Sequence, residues 1–286
     1  MNGFQPRKSP LRRFGRWTGA LMLGTALAQA APSAQPEVPG AKRLGDFLIR
    51  PTQNSLYGPG PHYTIMFRSQ EYWPFGVNVV KGVRPIKAQH EGQPMLLAIT
   101  SRADSVGTLL VSVQNGTPLS RLLSPLQDEN FPDWGVPQPG REDLLLFAES
   151  GLALDTRTGE VLWFDTAVKG SGYRVVGTLM SVSPDNKVAA YLRFKEILVA
   201  GREDGLVAAY KLPADANVGE LADIFKSAYA QAAQAIKDGV PHVNNHRQAR
   251  DMQIAWFAQR FHWQAKNDTW ELIGRGLGPA LPLSER

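Results

Sequence analysis

The chain has 286 residues, 43% hydrophobic and 20% charged, a globular composition that excludes disorder and suits one or two domains. It has no cysteine, which excludes disulfides, thiol nucleophiles, cysteine metal sites and a lipidated N-terminal cysteine. The formal charge of +5 lies wholly in Arg7, Lys8, Arg12, Arg13 and Arg16, since without these five the basic and acidic residues both number 26. Binding nucleic acid needs surplus positive charge on the folded part, so no nucleic-acid partner is expected.

That basic start leads into residues 17–28, mostly apolar or small, and then into Ala28-Gln29-Ala30. A charged segment, a short apolar run and an A-x-A site form the pattern of a secretory signal peptide. The run is shorter than the about 20 residues that span a bilayer, which argues against an uncleaved anchor. Arg12-Arg13 suggests twin-arginine export, but Gly15 stands where that signal wants an apolar residue, so the general route is favoured. The expectation is a bacterial protein with a signal peptide over residues 1–30, cleaved near Ala30, and a periplasmic mature chain without a transmembrane segment. An exported chain without cysteine must be stabilised by its core alone.

Residues 31–44 are rich in Pro, Ala and Gly without periodicity and read as a flexible leader. From 45 to 212, short apolar runs alternate with turn residues. Strands are expected at 46–49, 63–68, 76–81, 95–100, 108–114, 144–149, 152–155, 160–165, 174–181, 188–194, 196–200 and 206–212. Between them, residues 124–140 carry four prolines, which argues against regular structure because proline lacks a ladder N–H. Residues 217–238 place Leu221, Ile224, Phe225, Ala228, Ala232 and Ile236 at helical spacing. Asp215 or Asn217 is the candidate cap and Gly239-Val240-Pro241 the stop. A second helix is expected at 251–260, then a hairpin, 261–264 and 269–273, around Ala265-Lys266-Asn267-Asp268. The fold class is therefore mainly β: an antiparallel, propeller-like or irregular multi-hairpin unit over 45–212, with a C-terminal α+β portion over 213–286 packed on it.

Two stretches carry a resemblance. Asp155-Thr156-Arg157-Thr158-Gly159-Glu160-Val161-Leu162-Trp163 resembles the D-x-x-T-G-x-x-x-W unit of quinoprotein-type β-propellers. Ser183-Pro184-Asp185-Asn186-Lys187, followed by Ala189-Ala190-Tyr191, resembles the S-P-D-G-K turn of TolB-type propellers, with Asn186 in place of glycine. Gly159 and Asn186 both tolerate positive φ in a tight turn. Each unit occurs once, so a quinone cofactor is not implied, and Trp163 is expected to fill a gap between blades. The tail, Trp256-Phe257 to Arg260-Phe261-His262-Trp263 and then Trp270-Glu271-Leu272-Ile273, is similar to the ends of exported immunity proteins encoded beside type VI secretion lipases. That resemblance implies a periplasmic immunity protein.

No catalytic, cofactor or metal site is assigned. The chain has neither a G-x-S-x-G elbow nor a phosphate-binding glycine loop. His242 and His246 are four apart but lack a glutamate base and a third ligand. Asp128, Glu129 and Asp133 lack the alternation of a calcium loop and read as a solvated acidic loop. Two proline-flanked aromatic groups remain, and they read either as core plugs or as a recognition surface. On the second reading the partner-binding residues are Tyr72, Trp73, Phe75, Phe131, Asp133 and Trp134. The functional expectation is a non-catalytic envelope protein that binds a protein partner, in its sharpest form an immunity protein covering a secreted toxin. The alternatives are a β-propeller scaffold of the envelope, or a hydrolase whose carboxylates converge only in the fold.

Overall fold

The computed structural model describes residues 40–52, 61–77, 79–100, 107–125, 133–168, 174, 176–239, 245–281 and 283. The chain divides into two units, Met1–Glu37 and Val38–Arg286, and the described residues lie in the second.

The mainly β, antiparallel multi-hairpin architecture expected from the sequence is observed. The first sheet contains β1 (Lys42–Leu44), β2 (Phe47–Thr52), β3 (His62–Phe67), β4 (Gln70–Tyr72), β5 (Val80–His90), β6 (Gln93–Thr100), β7 (Gly107–Gln114) and β8 (Thr117–Pro125). Their order is β1-β2-β3-β5-β6-β7-β8, with β4 paired to β3, and among the described residues the sheet does not close. The second sheet is a meander of β9 (Val136–Gln138), β10 (Arg141–Phe147), β11 (Leu152–Asp155) and β12 (Val161–Trp163). The third is a meander of β13 (Thr178–Val182), β14 (Val188–Arg193), β15 (Glu196–Gly201) and β16 (Leu206–Lys211). Two helices, α1 (Leu221–Lys237) and α2 (Asn245–Arg260), precede the hairpin of β17 (Phe261–Lys266) and β18 (Thr269–Gly274).

Side chains alternate across a strand, and that period assigns residues to cores. On β6, Leu96 and Ala98 enter a core with Phe47, Ile65 and Val111, while Met95 and Leu97 point into a different one. On β10, Leu145 and Phe147 meet Leu97 in that second core, while Leu144 and Leu146 enter a third. Strands buried on both faces therefore read as continuous apolar runs. The third core lies between the second and third sheets and takes in Ile254 and Phe257 of α2, Phe261 of β17 and Leu272 of β18. Phe257, Phe261 and Leu272 of the aromatic tail are thus core material, with Trp256 and Trp263 half-buried against them. Trp263 Nε1 donates to Ser181 Oγ at 3.0 Å, and Arg260 pairs with Asp215 and Glu220.

Both resembling turns form hairpin connections. Asp155 Oδ1 accepts the N–H groups of Arg157 and Thr158, and Gly159 has φ +76°. Asn186 has φ +63°, and its Oδ1 accepts from Arg141 Nη2 at 2.8 Å, a bond that glycine cannot make.

Several boundaries differ from expectation. β5 runs to His90 through Gly82 and Pro85, accommodated by register shifts at both places. β8 was not anticipated as a strand. β9 forms inside the proline-rich stretch, as a three-residue edge strand where Pro137 is tolerated. β1 forms at the end of the expected leader. A π-helical turn, Ala216–Glu220, precedes α1, and the Asp215 side chain pairs with Arg260 instead of capping. The helical stripe is only partly buried: Leu221, Ala228 and Ala232 are, whereas Phe225 and Ile236 are exposed. α2 starts six residues before 251.

Candidate functional site

The first aromatic group stands outward. After β4, Pro74–Gly76 forms a single 3-10 turn in which Pro74 is buried and Phe75 adopts φ 54°, ψ 29°. This left-handed region is uncommon for a bulky residue and costs on the order of 1–3 kcal/mol. Gly76 follows with φ +74°. Three hydrogen bonds fix the turn: Gly76 N–H to Trp73 O at 2.9 Å, Val77 N–H to Pro74 O at 3.0 Å, and Phe75 N–H to Ser120 Oγ at 3.1 Å. Trp73 Nε1 donates to Glu71 Oε2 at 3.1 Å. The result is two rings displayed two residues apart, Trp73 50% and Phe75 55% exposed. On β8, Leu119 and Leu122 add exposed apolar surface. Tyr72 is half-buried against the first core, and burial pushes its phenol up while a hydrogen bond with Ser120 acts the other way. Ser120 therefore serves both Tyr72 and Phe75.

The described part of the second aromatic group, Asp133 and Trp134, turns inward. Asp133, expected in a solvated loop, is only 7% exposed. Its Oδ2 accepts from Ser124 Oγ and its Oδ1 from Gly135 N–H, both at 3.0 Å, while its carbonyl accepts from Thr108 Oγ1. Trp134 packs on the second core. Arg84 lies over its ring at 4.8 Å and donates to its carbonyl at 2.7 Å. Gly82 leaves the space the indole fills, since a Cβ there would meet the ring at 2.8 Å. Phe131 lies outside the described residues, as do Asp128, Glu129 and His242. His246 sits on α2 with its ring edge-on to Tyr229. The structure thus ties Tyr72 and Phe75 to Ser120 with Trp73 between them in the chain, and places Asp133 and Trp134 in a separate, inward-facing network.

Sequence reasoning missed one further feature. Trp163 does not fill a gap between sheets: it is 51% exposed, on the lip of a cleft of about 480 Å3 between the second and third sheets. The cleft walls include Glu149, Asp165, Arg174, Tyr191 and Arg202. No local pattern marks it, because the exposure of Trp163 follows from the sheet order, which leaves its three-residue strand at an edge. Among the described residues no group of three or more His, Asp or Glu is placed to hold a metal, and no helix is long and apolar enough to cross a membrane.

No family model, no curated protein and no solved structure matches this chain.

Proposed function

We propose that this is an exported, non-catalytic protein that binds a protein partner in the bacterial envelope through Trp73 and Phe75. The observation that carries the reading is the backbone at Phe75. A left-handed phenylalanine is destabilising, and its ring gains little burial in return. Packing therefore does not account for it, whereas display to a partner does. Rings on a hydrogen-bonded, proline-started turn lose little entropy on binding, and Trp and Tyr are common binding anchors. Export rests on the signal-peptide pattern of residues 1–30. The sharpest form is an immunity protein whose ridge covers the active-site mouth of a secreted lipase or other toxin, so that inhibition is steric. The test is capture of a partner from envelope extract by the tagged full chain, compared with the Trp73→Ala, Phe75→Ala double variant. Stoichiometric capture by the native chain alone supports the reading; equal capture by both overturns it.

A further inference from the structure

The cleft beside Trp163 lies apart from the ridge in the chain, is built from different sheets and calls for a different ligand. We propose that it binds a neutral saccharide.

The cleft's volume of about 480 Å3 falls within the roughly 300–1,000 Å3 of small-molecule sites. Its floor is fixed. Tyr191 donates its hydroxyl to Gly151 O at 2.8 Å, and burial pushes that phenol up, so it stays neutral. One wall is the half-exposed indole of Trp163, on the edge strand of the second sheet. Such a ring offers a flat apolar face beside polar groups.

The charges of the cleft decide the ligand class. Glu149 pairs with Arg250 at 2.8 Å, Asp165 with Arg174 at 3.5 Å, and Arg202 with Glu160 at 2.8 Å. An anion entering beside Glu149 and Asp165 would meet two carboxylates, and a cation would meet Arg174 and Arg202. Hydroxyl groups suit both, because each donates to a carboxylate oxygen and accepts from a guanidinium N–H without breaking the pairs. A pyranose combines an apolar C–H face, which fits the indole, with a rim of such hydroxyls. A peptide strand fits less well. β12 offers only three residues of edge, and just beyond it Asp165 N–H is committed to Gly201 O at 2.9 Å.

The test is calorimetric titration of the full chain with maltotetraose, cellotetraose and chitotetraose, alongside tetra-alanine and sodium phosphate as controls. At least one saccharide is expected to bind with Kd below about 1 mM. Trp163→Ala and, separately, Asp165→Asn should weaken it at least about tenfold. Both side chains lie at a cleft wall, so the far-UV circular dichroism spectrum should not change. Trp73→Ala should leave saccharide binding intact, which separates this proposal from the ridge. Absence of binding by all three saccharides, binding of tetra-alanine or phosphate alone, or saccharide affinity unchanged in both cleft variants would overturn it.

Discussion

The backbone N–H of Phe75 donates to the side-chain oxygen of Ser120, 45 residues further along the chain, at 3.1 Å. The bond joins the turn after β4 to the edge strand β8 and pins a left-handed residue in place. Ser120→Ala removes the acceptor for Phe75 and the partner of Tyr72. A single exposed bond contributes about 1 kcal/mol or less, so a small loss in denaturant-measured stability is expected. A larger loss should appear in partner affinity, because the turn is no longer held for binding.

The strain at Phe75 has its own signature. Phe75→Ala keeps the left-handed backbone cost, whereas Phe75→Gly relieves it. The glycine variant should be more stable than the alanine variant by roughly 1 kcal/mol in urea unfolding, with partner binding lost in both. Equal stability would mean that the turn relaxes freely and stores no strain.

Asn186 tests the second hairpin turn. Its backbone is left-handed and its side chain holds Arg141. Asn186→Gly keeps the favourable backbone but loses the bond, and about 1 kcal/mol of destabilisation is expected. Asn186→Ala loses both and should cost about 2 kcal/mol. Thermal or denaturant unfolding of the two variants orders the contributions.

Acid should weaken the fold through three carboxylates. Asp215 is held below its ordinary 3.8 first by the hydrogen bond from Arg260, and Asp143 below 3.8 first by that from Lys87. Glu91 is held below 4.5 first by the N–H of Gly116, then by that of Asn115. A carboxylate depressed on folding stabilises above its unfolded value and loses that contribution as pH falls through its folded one. Stability should therefore hold from neutral pH to about 5 and decline below the ordinary carboxylate range. Asp215→Asn should flatten part of that decline.

Asp251 has the opposite sign. Burial raises its carboxyl, and one of its oxygens is buried without a hydrogen-bond partner. A raised carboxyl is a cost at neutral pH that protonation relieves. Asp251→Asn should stabilise the protein at pH 7, and the gain should shrink as pH falls into the acid range. A destabilised Asn variant at pH 7 would show that the attraction of Arg247 and Arg250 outweighs burial.

Much of the β unit was legible because its strands are short apolar runs, several of them buried on both faces, and its turns carry Gly159 and Asn186. β5 and β8 were obscured by Gly82, Pro85 and Pro118, which break the apolar pattern locally while register shifts and an edge position absorb them. Helical spacing identified α1, yet spacing cannot say which part of the stripe meets a neighbour, and Leu221, Ala228 and Ala232 rather than Phe225 and Ile236 are buried. Of the two proline-flanked aromatic groups, the first displays Trp73 and Phe75, whereas Trp134 of the second packs inward. The difference lies in partners distant in sequence, Gly82 and Arg84 for Trp134 and Ser120 for Phe75, which no local pattern records.

The most direct test of the binding account is inhibition and capture measured together. The tagged full chain and its Trp73→Ala, Phe75→Ala variant would be applied to native envelope extract, the bound protein identified by mass spectrometry and its activity assayed with each chain added back. The account predicts one stoichiometric partner, captured and inhibited by the native chain and neither captured nor inhibited by the folded variant. A folded native chain that captures nothing, or a variant that captures as well as the native chain, would contradict it.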